Sequence, residues 1–513
     1  MQKRLVPLIA AAAVLLSVSG ATAMPLGPST KQHAQASGSV TVAVGTDPGS
    51  LDPQLTILAS ARFVDSFAYD TLVSLTGPGK IASALAQSWK VVSPKRVEFT
   101  LHSGITCSDG SKMTASVVKR NLDFVGNPAN KSPLLGVFMP LGATVTADDK
   151  ARTVVVTTTR PNPFMIQGLA SVQLVCSAGL SDRAKLTRGA IGSGPYTLVS
   201  AVPGDHYTFQ VRKGYKWGPG GATTSPSGLP AKVTIKVVSN ETTAANLLLT
   251  GGVNLATLAG PDRKRLDKAK GLFHKVLPGP PAELFFNENQ GHPAASATVR
   301  RALVQALNTK QIGTVATGGL GVPVTQLSLQ SFTPCAGDSV TGNLPAFNPG
   351  AARSALNGVT VKLLYPTDGG STWIPAAELA QQQLSAAGAK VTLDGQSTAA
   401  LQGKLFGTGD WDVVLIAIGV ANPSQITGFL SGPASPKGTN FGNVDNAAYK
   451  AAVSRAQRRV GTQGCKYWLD AERALFKAAD LAPMAVFTNA SYGKGVSFAL
   501  GVQGPVPTSL RLT

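Results

Sequence analysis

From Ser39 onward the chain alternates two kinds of short segment, and that alternation restricts it to mixed α and β architectures. "SVTVAV", "VEFTLH", "TVVVTTT", "VTIKVV" and "VKLLY" have the β-branched composition of strands. "ASALAQSW", "ASVVKRNLDFV", "TTAANLLLTG", "TVRRALVQALNT", "IPAAELAQQQLSAAG" and "YWLDAERALFKAA" space their apolar residues as helices do. Two of these segments run into glycine, in "LLLTGG" and "SAAGAK", where helices are often capped. "LPGPPAE", Leu277 to Glu283, reads as a linker, because its prolines would stiffen a crossing between domains. A chain of 513 residues has length for at least two lobes, and 43% hydrophobic residues exclude both a disordered chain and a fibre.

The first 23 residues read as an export signal. Lys3 and Arg4 precede the apolar "LVPLIAAAAVLLSVSG", and Ala21-Thr22-Ala23 supplies a small-residue cleavage site. Residues 24–38 are polar and read as a flexible leader. No cysteine stands near the cleavage site to take a lipid, and no later stretch is long and apolar enough to span a bilayer. The expected destination is therefore outside the cytoplasm, periplasmic or associated with the cell envelope. Cys107, Cys176, Cys335 and Cys465 are scattered, with no paired histidines beside them, so disulfides are expected and a zinc site is not.

The net charge of +20 favours contact with anionic surfaces such as an anionic cell envelope, or with acidic ligands. Nucleic acid is not the expected partner. The densest basic run, "DRKRLDKAK", contains acidic residues and lacks interleaved aromatics, so it reads as a solvated helix face.

Catalytic patterns are sparse. The five histidines lie far apart, and no nucleophile elbow of the G-x-S-x-G type occurs. "GPGK", Gly77 to Lys80, resembles the end of a phosphate-binding loop. Ser74 replaces its first glycine and Ile81 its magnesium-binding hydroxyl, which leaves a surface turn. "GSGPY", Gly192 to Tyr196, opens a strand and is not a dinucleotide fingerprint. No enzyme activity and no cofactor are expected. An exported hydrolase and a cationic cell-surface adhesive protein are the alternatives.

The early Leu51-Asp52-Pro53, then "YDTLVSL", "SALAQSW" and "VEFTLHSGITCSDGSKMTASVV", together resemble the extracytoplasmic solute-binding protein family 5 of ABC importers, whose members bind oligopeptides, dipeptides and nickel. The resemblance falls on Tyr69, Leu72, Leu85, Ala86, Ser88, Trp89, Phe99, Leu101, Gly104, Asp109, Gly110, Thr114, Ala115 and Val118, with Cys107 where the family usually has Phe. It continues through "IGSGPYTLVSAVPGDHYTFQVRKGYKWG", "LLLTGGVNLATL", "LFFNENQ", "TVRRALVQALNTKQI", "DWDVVLIAIGVANPSQITGFL" and "NFGNVDNAAY", from about Thr41 to about Asn489. Read as residues alone, Asp109-Gly110 is a turn, and Trp89 closes an apolar helical pattern as a core residue.

The resemblance implies an α/β, two-lobed periplasmic-binding-protein-like fold (type II, cluster C-like) with an inserted subdomain in lobe one. Lobe one would comprise 39–281 plus 489–513, the subdomain about 78–185, and lobe two 282–488. The crossings would be "LPGPPAE" and the segment around "VFTNAS". It implies capture of a small-molecule or peptide-like ligand between hinged lobes, delivery to an ABC permease in the membrane, and a monomer. "GTDPGSLDPQ" would form one cleft wall. The lining residues chosen by position and polarity are Asp47, Ser50, Phe138, Asn287, Ile418, Asn422, Gln425, Phe487 and Asn489. The disulfides would be Cys107–Cys176 and Cys335–Cys465, because a bridge between lobes would obstruct closure. The sequence departs from the family at one point. Peptide-binding members carry a segment like G-W-x-A-D-Y, whose Asp pairs with the peptide's free amine. Here "AIGVANP" puts Ile418, Ala421 and Asn422 at the Trp, Asp and Tyr positions, and Asp412 is embedded in "DWDVVLIAI". A peptide gripped by its free amine in the usual way is therefore not expected; the ligand would be a modified peptide, an acidic or neutral small molecule, or a peptide anchored elsewhere, for instance by Asp47.

Overall fold

The computed structural model describes residues 38–367 and 372–513. The expected export signal and all but the last residue of the leader lie outside the described residues. Ten strands form one sheet that runs through both lobes. At its middle the strands Leu272–Phe286 and Leu481–Lys494 lie antiparallel, paired from Leu272 opposite Lys494 to Phe285 opposite Leu481. On one side follow Leu255–Leu258, Ser39–Val44, Lys232–Val237, His206–Val211 and Tyr196–Val202. On the other follow Val413–Ala417, Thr360–Pro366 and Lys390–Gln396. "SVTVAV" pairs in parallel with Lys232–Val237, and Val40, Val42 and Val44 bury their side chains in the aromatic core of the first lobe.

The chain passes between lobes on the two middle strands. "LPGPPAE" is thus a stretch of the first of them and not a free linker. Pro278 faces Thr488 and Pro281 faces Val486, with a bulge between the two pairs. The neighbouring strand overrides the local proline signal, since a bulge tolerates residues that cannot donate to the ladder. Helices expected from apolar spacing form at Ala115–Gly126, Glu241–Thr250, Ala297–Ala306, Trp373–Ala386 and Cys465–Ala478. The helix Glu241–Thr250 ends at Gly251, whose φ of +86° suits a residue without Cβ.

A second, four-stranded antiparallel sheet joins Ala86–Ser93, Arg96–Leu101, Thr153–Thr157 and Thr144–Asp148, and the helix Ala115–Gly126 packs beside it. "ASALAQSW", expected as a helix, is mostly strand here. Trp89 stands opposite Phe99 in the ladder and packs, half-buried, on this core. Cross-strand pairing with "VEFTLH" outweighs a short helical spacing.

Buried contacts explain several sequence motifs. Asp70 of "YDTLV" accepts hydrogen bonds from Ser193 Oγ at 2.8 Å, Tyr215 Oη at 2.7 Å and Trp217 Nε1 at 3.0 Å, which ties three distant segments together. Burial raises its pKa above the usual carboxylate range, against the pull of these donors. Gly194 of "GSGPY" lies so close to Ala68 that a Cβ would stand 2.4 Å from its carbonyl carbon. Cys107 is bonded to Cys176 and Cys335 to Cys465, the two expected pairings. Among the described residues no helix is long and apolar enough to cross a membrane, and no group of His, Cys, Asp or Glu could hold a metal ion.

Phe67 anchors the first lobe, with ring centroids 5.6, 5.5 and 5.4 Å from Phe63, Tyr196 and Phe209. Phe67→Ala should lower unfolding stability by about 3–5 kcal/mol, because the rigid neighbours cannot close the hole. A urea titration of both proteins checks it through the transition midpoint, with the slope unchanged.

Candidate functional site

Two cavities are described, one of them at the seam between the lobes. The smaller, about 90 Å³, lies between them. Gly136, Val137, Phe138, Pro140, Asn162, Phe164 and Gly168 line it from the subdomain side, and Asn422, Ser424 and Gln425 from the second lobe. Gln425 organises the second wall. Its Oε1 accepts from the amides of Ala421 at 2.8 Å and Asn422 at 3.2 Å, while its Nε2 donates across the gap to the Val137 carbonyl at 3.0 Å. Asn422 Oδ1 accepts from the amide and hydroxyl of Ser424, which fixes the turn. The larger cavity, about 110 Å³, lies wholly in the first lobe beneath the terminal hairpin Gly501–Pro505. Ser66, Tyr69, Ser171, Gln173 and Gln503 are among its lining.

Arg62 stands between the two. Its guanidinium lies 5.0 Å from the ring centroid of Phe138, and its Nη2 donates to the Ser171 carbonyl. Gln503, with its amide oxygen turned to Nη2 and its nitrogen to the Arg62 carbonyl, sits 3.0 Å from each. Among the described residues Nη1 is buried without a hydrogen-bond partner, and no carboxylate lies within ion-pairing distance. Burial brings its pKa down to about 10, against the raising influence of Asp65. The buried Arg300, by comparison, meets Glu288 at 3.0 Å.

The nine expected lining residues separate into three groups. Phe138, Asn422 and Gln425 share the cavity between the lobes. Ile418, Phe487 and Asn489 line neither cavity; Ile418 follows the strand Val413–Ala417, and Phe487 and Asn489 lie on the second middle strand. Ile418 is half-buried against the second lobe's core, Phe487 meets Trp373 in a tilted ring contact at 5.2 Å, and Asn489 is exposed opposite Leu277. The remaining three line neither cavity. Asn287 is wholly buried, donating to the carbonyls of Trp411 at 2.8 Å and Gly409 at 3.2 Å, so its expected place in the lining is corrected to an interior one. Asp47 accepts from the amides of Gly49 and Gly204 and from Tyr207 Oη at 3.0 Å. These bonds fasten "GTDPGSLDPQ" to the hairpin beside it; desolvation is the largest single influence and raises the carboxyl's pKa, but the bonds together outweigh it and leave the pKa lowered. Ser50 is exposed, and its Oγ accepts from the amide of Asp52. Asp412 is embedded as expected, accepting from His292 Nδ1 at 2.8 Å and the amide of Lys362 at 2.7 Å. Sequence reasoning missed Arg62, Ser171 and Gln503. The only local signal is an arginine on the apolar side of "ASARFVD" without an acidic residue on the preceding turn.

The sequence model of the bacterial extracellular solute-binding proteins, family 5, middle, matches residues 80–440. The chain belongs to this family. The glutathione-binding protein GsiB of Pectobacterium atrosepticum is 28% identical over 481 residues, covering 84% of this chain and 88% of the relative. A substrate-binding protein from Microbacterium hydrocarbonoxydans, solved with 4-hydroxybenzoate hydrazide, superposes with a TM-score of 0.75 at 27% identity, over 93% of this chain and all of that one. The substrate-binding protein CtaP of Listeria monocytogenes has the same fold, with a TM-score of 0.79 at 19% identity and the same coverage. As a family 5 protein the chain captures a peptide-like or other small solute for an ABC importer and works with its permease.

Two buried carboxyl groups stand in the second lobe behind the cleft. Glu472 accepts from Ser339 Oγ at 2.5 Å and from the Leu327 amide at 3.3 Å, and burial pushes its pKa up to about 7. Glu283, on the first middle strand, has no hydrogen bond to either oxygen, and burial and the charge of Glu472 raise it well above the carboxylate range. A raised carboxyl holds its proton more tightly folded than unfolded, so its contribution is fully present below about pH 4.5 and is lost as pH rises towards 7. The melting temperature should therefore fall between pH 5 and pH 7.5, and the fall should be shallower in Glu472→Gln. Calorimetric scans of both proteins at half-unit pH steps measure the difference in slope.

Proposed function

We propose that the solute is small, neutral or anionic, and that it is held without a carboxylate grip on a free amino group. The observation that carries this reading is the charge of the seam. At the position where a carboxylate would pair with an ammonium stands Ala421, and its amide is already taken by Gln425. Asp65 beside Arg62 has both oxygens buried without a hydrogen-bond partner, and burial raises its pKa well above the carboxylate range, while three other acids of the first lobe are committed. Asp47 is bonded to its hairpin, Asp52 forms an ion pair with Arg183, and Asp70 is surrounded by three donors. An unpaired charge beside the inter-lobe cavity is the cation of Arg62, whose guanidinium lies against the Phe138 ring. An ammonium enclosed there without an anionic partner would cost several kcal/mol. A glutathione-binding relative and a neighbour solved with 4-hydroxybenzoate hydrazide support a solute of this size class.

Lobes bounded near residues 281 and 489 close on this solute, with the subdomain at about 78–185 moving as part of lobe one. The protein acts as a monomer outside the cytoplasm, and its net charge of +20 favours contact with the anionic cell envelope. No catalytic step is assigned to it.

Calorimetry against free and N-acetylated di- to pentapeptides tests the reading. Acetylation should leave affinity unchanged within about threefold or improve it. Micromolar binding that disappears on acetylation would show that an ammonium is gripped after all.

A further inference from the structure

We propose that the unliganded protein rests closed, held by two phenylalanines that each enter the opposite lobe, and that the Cys335–Cys465 disulfide holds both contacts in place. The first is Phe164, carried by the subdomain. It is 1% exposed and buried in the core of the second lobe, 6.0 Å from the ring centroid of Trp468. The carbonyl of the preceding Pro163 accepts from the amide of Gly461 at 3.1 Å. The second is Phe332, carried by a loop of the second lobe. It is 4% exposed and belongs to the core formed by Leu72, Leu85, Phe99 and their neighbours in the first lobe. Its carbonyl accepts from the amide of Gly79 at 3.4 Å.

The disulfide lies at the foot of both contacts. Cys335 follows Phe332 by three residues, on the loop that carries the inserted ring. Cys465 follows the turn Gly461–Gly464 that receives Pro163, and precedes Trp468 on the helix that receives Phe164. One bond thus ties the loop that inserts into the first lobe to the socket that accepts from it. "GPGK" gains a role here. Gly79 has a φ of +61°, and a Cβ on it would stand 3.0 Å from Pro334 Cα, between Phe332 and Cys335. The turn fits against the second lobe because it presents no side chain.

Opening has to withdraw both rings into water. Burying a phenylalanine biases the closed form by roughly tenfold to a hundredfold, so the two together make the open form a minor one before any solute binds. Solute then enters through brief openings, which slows association without requiring weak binding. This inference is independent of solute identity and would survive failure of the ligand-charge reading.

Small-angle scattering and hydrogen exchange of the ligand-free protein test it. The wild type should be compact, with slow exchange in the Gly77–Lys80 turn and the Gly461–Gly464 turn. Phe164→Ala, Phe332→Ala and the pair Cys335→Ser with Cys465→Ser should each raise the radius of gyration and speed exchange at both turns by about tenfold or more. Gly79→Ala, which leaves both cores intact, should do the same to a smaller extent, and Phe332→Leu should stay close to wild type. Gly79→Ala and Phe332→Leu carry the test if an alanine variant does not fold. An extended ligand-free wild type, or a Gly79→Ala protein with unchanged scattering and exchange, would overturn the proposal.

Discussion

The pairing of Leu272–Phe286 with Leu481–Lys494 is the interaction on which the rest of the structure depends. Each strand belongs to both lobes, so every other strand of the large sheet is placed by its distance from this pair. The seam is placed by it too. Ile418 continues from the strand Val413–Ala417 alongside the first middle strand, and Phe487 and Asn489 lie on the second. Two passages that are neighbours in one ladder let a two-lobed chain change shape without losing its shared sheet.

The seam itself is built from conflicting requirements. It must be polar enough to hold a solute, and it must also tolerate a dry closed form. Gln425 meets both demands by turning its amide onto backbone groups of both walls, and Asn422 Oδ1 is satisfied by Ser424. Arg62 meets them less completely. One nitrogen bonds to Ser171, the ring of Phe138 covers the guanidinium, and Nη1 remains unbonded. The buried Arg263 and Arg300 likewise keep Nε unbonded, so Arg62 differs from them in standing against Phe138 of the inter-lobe cavity.

Much of the scaffold was legible because its signals are local. Alternation identified "SVTVAV" and "VKLLY" as strands, and apolar spacing identified "YWLDAERALFKAA" as a helix. Where the two signals compete over a few residues the reading failed. "ASALAQSW" has a helix-like spacing of alanines and leucine, and only the ladder to "VEFTLH" decides against it. The placing of Asn287 failed for a related reason, since a polar residue after an apolar run looks equally suited to a cleft or to buried carbonyls 122 and 124 residues away. Arg62 was illegible because its surroundings are assembled from Phe138, Ser171 and Gln503, three segments that no period or motif connects.

The bulge between Pro278 and Pro281 has a mechanical meaning. Three of the four residues from Pro278 to Pro281 have no amide hydrogen, so the ladder there lacks the cross-links that stiffen the strand above and below it. Resistance to bending is therefore lowest over this short stretch, which a second irregularity between Ala282 and Glu283 extends. The prolines first read as a spacer sit instead at an irregularity in the ladder that joins the two halves of a ten-stranded sheet.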